Sequence, residues 1–487
     1  MSVLTHTSEW DGKIYSRGWR SSLGGTTDVV EPATGETLAT VGLASAEDIE
    51  NAARVAADGQ LAWADTSFEE RGRVLRAVAE LLEDDAEEAI SWIMRETGAI
   101  RGKAATEVAG SVGEMREAAA LASHPLGELL ADPDPSRLSF ARRVPLGVVG
   151  VITPWNFPLI LAIRVVAPAL ALGNAVVLKP DVQTPICGGL LIAKLFEQAG
   201  LPDGVLHVLP GAAEAGEALV VDPNVAMVAF TGSTATGARV GELAGRAMKK
   251  LSLELGGNNA LIVLDDADVE LASSAGAWGS FLHQGQICLT TGRHLVHERL
   301  ADAYVEALSR RADALIVGNP LDPNVSLGPI INERQLQRVI SIVDDTVAAG
   351  CELRAGGTHD GLFFRPTVLA GVTPTMRAFT DEIFGPVAPV TTFSSDEEAI
   401  ELANQTKYGL TAAIQTRSVG RGLRIARALH TGMVHINDAT VNDAPHVPFG
   451  GMGDSGNGGR FGTLANVEEF TQWQWCTVRD QPSAFPF

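Results

Sequence analysis

Cysteine and basic charge are what this chain has least of. Four cysteines (Cys187, Cys288, Cys351 and Cys476) occur in 487 residues. That is too few, too widely spaced, for a disulfide framework or a zinc-type cluster, so no metal is expected. Lysine and arginine number 37 against 59 acidic residues, a net charge of −22. Binding to a phosphate backbone draws its affinity from a basic excess that displaces counterions, so nucleic acid is excluded as a partner. An anionic membrane surface is disfavoured on the same ground. The first ten residues show no basic start followed by an apolar core, and no signal peptide is expected. Uninterrupted apolar runs are missing too. The most apolar region, 144–178, is broken by Asn156, Arg164, Asn174 and several prolines, and reads as buried core rather than a membrane span. A cytoplasmic protein is the expectation.

The length exceeds one ordinary core and predicts two or three domains. Ser45-Ala-Glu-Asp48 resembles a capped helix start, and amphipathic helical spacing runs through 46–100. After a polar stretch at 131–136 comes a short apolar run, Val148-Val-Gly-Val-Ile152, that reads as a buried strand. From there strands (175–178, 205–209, 227–230) alternate with helices (186–199, 213–221, 236–247). Such alternation predicts an α/β fold with a parallel sheet covered on both faces. A strand at 260–264 and a helix near 269–284 open a second α/β unit that continues to about 436. The alternating segment Phe470 to Val478 reads as a strand placed to be lent to another subunit.

Chemistry concentrates in three short segments. Phe281-Leu-His-Gln-Gly-Gln-Ile-Cys288 presents a thiol, Leu253-Glu254-Leu-Gly-Gly-Asn258 a carboxylate, and Thr153-Pro-Trp-Asn-Phe-Pro158 a side-chain amide at Asn156. A thiolate nucleophile, a base that steers a proton to or from water, and an oxyanion donor are what acyl transfer through a thioester requires. Gly256 and Gly257 are expected to leave room for a mobile Glu254 side chain. A free thiol ionises near pH 8.5, so Cys288 needs local activation by a helix N-terminus, backbone amides or a cofactor. Cys187, Cys351 and Cys476 read as inert, buried thiols.

Together these segments resemble the aldehyde dehydrogenase family, and Pro448-Phe-Gly-Gly-Met-Gly-Asp-Ser-Gly456 extends the resemblance to nearly the whole chain. The resemblance implies Cys288 as nucleophile, Glu254 as general base for hydrolysis, and Asn156 with the Cys288 N–H as oxyanion donors. It also implies a Rossmann-type cofactor domain (1–121 and 146–253), a catalytic α/β domain (254–436) and a β oligomerisation flap (122–145 and 466–487), with 437–465 returning to the cofactor domain and substrate channel. Homodimers or homotetramers are expected. Many members carry an Arg-Glu pair after Ser-Gly whose glutamate relays protons; here Arg460 stands at the place of that acid.

A cofactor of the nicotinamide type is implied, NAD favoured over NADP. Phe230-Thr-Gly-Ser-Thr-Ala-Thr-Gly237 is not a Gly-x-Gly-x-x-Gly fingerprint, yet it places a glycine turn between a strand and a helix N-terminus, where a phosphate can sit. By resemblance Thr153, Trp155, Lys179, Gly211, Gly232, Ser233, Gly237 and Leu255 belong to this site. Glu382 and Phe384, in Glu-Ile-Phe-Gly-Pro, would serve the ribose and the nicotinamide ring. Where many members have a ribose-gripping glutamate this chain has Val182, with Asp181 one place earlier, and that removes the charge that would repel a 2′-phosphate.

The resemblance assigns Phe157, Ile160, Arg164, Leu282, Ile287, Leu289, Asp443 and Phe449 to the substrate channel. Most are apolar, which suits a flat hydrophobic aldehyde. Arg164 would pair with Asp443, stack on an aromatic ring or bind a polar ring substituent. Lys-Pro-Asp-Val-Gln-Thr-Pro and Gly-Asn-Gly-Gly-Arg-Phe-Gly look like the benzaldehyde-oxidising branch, so benzaldehyde or a substituted relative is the expected substrate. The alternatives are an aliphatic or semialdehyde dehydrogenase of the same mechanism and a family member that has lost catalysis.

Overall fold

Two parallel sheets organise the chain in a computed structural model that describes residues 7–487 apart from Pro125. In the first sheet, Val148–Ile152 and Ala175–Lys179 lie side by side at the centre and every residue of both is buried. Helices cover both faces, which is why these strands read as continuous apolar runs rather than alternating ones. Leu206–Val208 extends the sheet on one side, followed by antiparallel Lys13–Ser16 and Trp19–Ser21. On the other side of Val148–Ile152 lie Val225–Thr231 and Lys250–Glu254, both parallel.

The chain thus builds outward from Val148–Ile152 in one direction and then returns to build in the other. At such a switch point, the loops that leave the carboxyl ends of the two adjacent strands diverge and open a crevice. One of those loops is Thr153 to Phe157, and the other begins at Gly232. The strand order therefore places two of the sequence motifs on facing lips of one crevice.

The second sheet runs Glu352–Ala355, Thr367–Ala370, Val387–Phe393, Thr291–His297, Asn259–Val263, Thr411–Gln415, Met433–Ile436. All neighbours are parallel except the first pair. Separate apolar cores fill its two faces. A third, three-stranded antiparallel sheet pairs Thr471–Val478 with Leu138–Pro145 and that strand with Gly127–Leu130. It leaves Leu129, Leu138, Trp473 and Trp475 exposed. Residues 466–470 belong to the helix Thr463–Phe470, whose Val467 and Phe470 are buried in the core of the first sheet.

The capping box predicted at Ser45 is present. Its side chain accepts from the Asp48 N–H while the Asp48 carboxylate accepts from Ser45. The long helical region divides into Ala46–Asp65, Phe68–Asp84 and Ala86–Thr97. Two expectations need correction. The helix near 269–284 stops at Phe281, because His283 and Gln284 take left-handed conformations that no α-helix accommodates. Cys476, expected to be buried, is partly exposed on the edge strand Thr471–Val478, of which only Thr471 is buried. No helix among the described residues is long and apolar enough to cross a membrane.

Candidate active site

The thiol is delivered by a strained turn. His283 (φ 48°), Gln284 (φ 57°) and Gly285 (φ 67°) are consecutive left-handed residues. At Gly285 a Cβ would stand 2.1 Å from the Gly385 carbonyl oxygen, so only glycine fits. Buried amides hold the rest of the turn. Gln284 Nε2 donates to the carbonyls of Gly98 (2.9 Å) and Pro329 (2.8 Å), and Gln286 Oε1 accepts from the Ile331 N–H (3.0 Å). Non-glycine residues in such conformations persist only where surroundings over-determine them, and they gather at functional sites. Cys288 follows, partly exposed, with its carbonyl accepting from Asn259 Nδ2 at 2.8 Å.

No helix starts at Cys288, so the helix N-terminus considered as an activator is not there. Burial, with the Glu382 and Glu254 carboxylates beside it, pushes the thiol up to about 12, and Arg164 opposes this weakly. Only thiolate alkylates. Iodoacetamide labelling of Cys288 in the cofactor-free protein is therefore expected to climb ~10-fold per pH unit from about pH 7 to 10, followed by peptide mass mapping that separates it from Cys476. A plateau near pH 8.5 would show instead that the thiol ionises as an ordinary one.

Glu254 ends the strand Lys250–Glu254 and is buried, with neither carboxylate oxygen hydrogen-bonded within the described structure. Burial drives its pKa well above the usual carboxylate range; Arg460 and Arg164 partly offset this. The space expected for it beside Gly256 and Gly257 is already filled. A Cβ at Gly256 would meet the Glu382 carboxylate at 2.2 Å, and one at Gly257 would meet Asn259 Oδ1 at 2.7 Å. Gly450 is the residue that makes room, since its Cβ would lie 2.9 Å from Glu254 Oε1. Arg460, at the place of the family's relay acid, is tied to the Gly451 (3.0 Å) and Gly459 (2.6 Å) carbonyls.

Asn156 is buried on the crevice loop. Its Nδ2 donates to the Gln286 carbonyl at 2.9 Å, which ties the loop to the nucleophile turn and leaves one N–H of the amide uncommitted. Thr153, on the same loop, has a buried hydroxyl without a partner. Lys179 Nζ donates to the carbonyls of Gly211 (2.7 Å) and Pro180 (3.3 Å), and burial lowers its pKa. Asp181 stands in a local turn, where its Oδ1 accepts from the N–H of Gln183 at 2.9 Å.

Across the crevice, Gly232 donates its N–H to the Glu254 carbonyl (3.0 Å), and Ser233 caps the helix Thr234–Arg246. Gly237 serves packing, for a Cβ there would stand 2.4 Å from Leu255 Cδ2. Glu382 Oε1 accepts from the Gly257 N–H at 2.9 Å, and burial raises its carboxyl to about 7. Phe384 meets Trp155 edge to face at 5.5 Å, joining the second sheet's loops to the crevice loop.

Around the thiol, Ile287, Leu289, Leu410 and Phe449 form an apolar cluster that also contacts Phe157, Leu282, Met433 and Val441. Leu410, Met433 and Val441 come from elements far along the chain and carry no motif, so nothing in the sequence marked them. Arg164 pairs and stacks at once. Its Nη2 bonds Asp443, its Nε donates to Glu114 Oε1 at 2.8 Å, and its guanidinium carbon lies 4.6 Å from the Phe449 ring centroid. The Glu114 partner was not anticipated. Ile160 stands apart from the cluster, with its Cδ1 over Gly110, 2.6 Å from where a Cβ would be.

The family profile described as "Aldehyde dehydrogenase family" matches residues 19–476, and the chain belongs to that family. A vanillin dehydrogenase of Amycolatopsis sp. is 54% identical over 480 residues, covering 98% of this chain and 99% of that protein. A benzaldehyde dehydrogenase [NAD(+)] of Pseudomonas putida is 52% identical over 478 residues, covering 98% of each. Among solved structures, betaine aldehyde dehydrogenase from Staphylococcus aureus in complex with NAD+ superposes with a TM-score of 0.96 at 31% identity, covering 100% of this chain and 98% of that one.

Proposed function

We propose that the protein oxidises an aromatic aldehyde, benzaldehyde or a ring-substituted relative, to the carboxylic acid, with a nicotinamide dinucleotide and NAD in preference to NADP. The observation that carries this reading is the apolar, aromatic-lined cluster around Cys288, in a chain more than half identical to vanillin and benzaldehyde dehydrogenases.

The switch-point crevice fits the cofactor. It offers a helix N-terminus at Ser233, an unpartnered buried hydroxyl at Thr153, the Lys179 ammonium, the Glu382 carboxylate and the Trp155–Phe384 ring pair. Those residues, with Gly211, Gly232, Gly237 and Leu255, would hold it where a domain of 1–121 and 146–253 faces a catalytic domain of 254–436. When bound, the nicotinamide supplies the hydride acceptor.

The chain's own residues do the remainder. Cys288 releases its proton to solvent, its thiolate sulfur bonds to the carbonyl carbon as the carbon–oxygen π bond opens, and the resulting alkoxide takes hydrogen bonds from the free Asn156 N–H and the Cys288 N–H. The apolar walls keep water from this addition. Once the carbon has reached the thioester level, Glu254 accepts one proton from the attacking water, the carbon–sulfur bond breaks to restore the thiolate, and the carboxylic acid leaves, giving its remaining proton to solvent. The sheet that exposes Trp473 and Trp475 is the surface through which subunits associate as a homodimer or homotetramer, the flap being 122–145 with the chain from Thr471 onward, after the return segment 437–465 and the helix Thr463–Phe470. Four unpaired cysteines suit a reducing cytoplasm.

Following nicotinamide reduction with benzaldehyde, hexanal and succinic semialdehyde, each with NAD and NADP, tests the reading. Benzaldehyde with NAD is expected to give the highest kcat/KM, at least ~10-fold above hexanal. A preference for succinic semialdehyde would overturn the aromatic assignment, and no turnover of any aldehyde would overturn the activity.

A further inference from the structure

The helix Pro158–Ala171 starts without a capping side chain, since Phe157 at the cap position makes no such bond. Its first amides are satisfied from a different helix, Arg101–Leu121. Glu107 Oε1 accepts from the Leu159 N–H at 2.8 Å and lies 3.4 Å from that of Ile160. The other oxygen of the same carboxylate, Oε2, accepts from Lys103 Nζ at 2.5 Å, and Lys103 Nζ in turn donates to the Asn156 carbonyl at 2.7 Å. Lys103 and Glu107 are 3% and 1% exposed.

Lys103 Nζ also sits 4.0 Å from the centroid of the Phe157 ring, and His283, in the strained turn, meets that ring edge-on at 5.6 Å. Residues 156, 157 and 159 are thus each gripped by one buried ion pair. The amide of the first of them reaches the Gln286 carbonyl, two residues before the thiol.

A buried ion pair is a poor device for stability alone, because desolvation consumes most of the attraction and an apolar pair does as well. What it supplies is direction. Two charges with every bond satisfied fix the atoms they touch more narrowly than apolar packing does. Here the atoms touched are the Asn156 carbonyl and the Leu159 and Ile160 N–H groups, the backbone that follows the Asn156 side chain into the helix. An oxyanion donor works only when it is held at the place where charge develops, before the charge develops.

We propose that Lys103 and Glu107 are positioning residues for aldehyde oxidation, a clamp that sets the Asn156 amide against the Cys288 turn. The inference rests on the proposed aldehyde-oxidising function. The pair acts on the reaction through the placement of the loop that carries Asn156.

A double-mutant cycle tests it. Lys103→Met is expected to slow the pre-steady-state burst of nicotinamide reduction with benzaldehyde roughly 10- to 100-fold, as a displacement near 1 Å would. KM should stay within about threefold, and Lys103→Arg should recover most of the rate. In an Asn156→Ala background the same Lys103→Met change should add less than about twofold, because its target is gone. Glu107→Gln keeps the volume and one acceptor oxygen, and carries the same cycle if Lys103→Met does not fold.

Burst rates within twofold of the parent in both variants would overturn the clamp. So would losses that multiply in the Asn156→Ala background, since these would mark a general structural role. Absence of turnover in the unaltered protein would instead overturn the underlying function, and the two failures are distinguishable.

Discussion

Replacing Cys288 by alanine should abolish benzaldehyde oxidation, lowering kcat by about 10⁴-fold or more. Among the described residues no other cysteine joins the apolar cluster around Cys288. The Thr290 hydroxyl is committed to the Gly285 carbonyl at 2.9 Å. Cys187 is fully buried, with its thiol raised by burial and by Glu96, whose carboxylate accepts from the Cys187 N–H at 2.6 Å. What remains in the variant is the apolar cluster and the oxyanion donors, which bind an aldehyde without forming a bond to it. Acid-quenched wild-type protein should show the mass of a benzoyl adduct, and the variant none. Residual turnover within tenfold of the wild type would mean that the thiol is not the nucleophile.

Glu254→Gln is expected to separate the two halves of the reaction. The glutamine keeps size and polarity but cannot accept a proton from water, so thioester hydrolysis should slow by about 10²- to 10⁴-fold. Once Cys288 has released its proton to solvent, addition of the thiolate takes no proton from water and does not require this base. One equivalent of reduced nicotinamide per subunit should still form in a burst, and the acyl-enzyme should accumulate as a stable mass increment. The pH dependence has a definite sign. Burial raises the Glu254 carboxyl, so the group is protonated at low pH and becomes a base only as pH rises. Steady-state kcat of the wild type should therefore climb with pH on its acid limb, and the variant should lose that climb. Burst and steady state falling together would move Glu254 into the acylation half.

Much of the architecture was legible because it follows from local periodicity. The buried runs at Val148 and Ala175, the Ser45 cap and the alternating C-terminal strand each carry their pattern within a few residues. The helix before Cys288 was read too long for the opposite reason. Its apolar pattern continues past Phe281, but His283 and Gln284 are left-handed in a turn that Gln284 ties to Gly98 and Pro329 and Gln286 ties to Ile331, none of them nearby in sequence. The room for Glu254 was assigned to the adjacent glycines and belongs to Gly450, almost two hundred residues on.

By itself, then, the sequence determined the chemical inventory of this protein: a thiol, a carboxylate, an amide, few cations, and an alternation of strands and helices that folds as parallel sheets. Those properties reside in single side chains and short windows, so no contact map is needed to see them. Tertiary structure alone decided which groups face one another. Glu114 completing the Arg164 pair, Lys103 and Glu107 gripping the Asn156 loop, and Leu410 and Met433 walling the thiol all depend on strand order and helix crossing. Contacts between distant segments leave no periodic trace in either one, because each side chain satisfies its own helix or strand equally well whatever lies across from it.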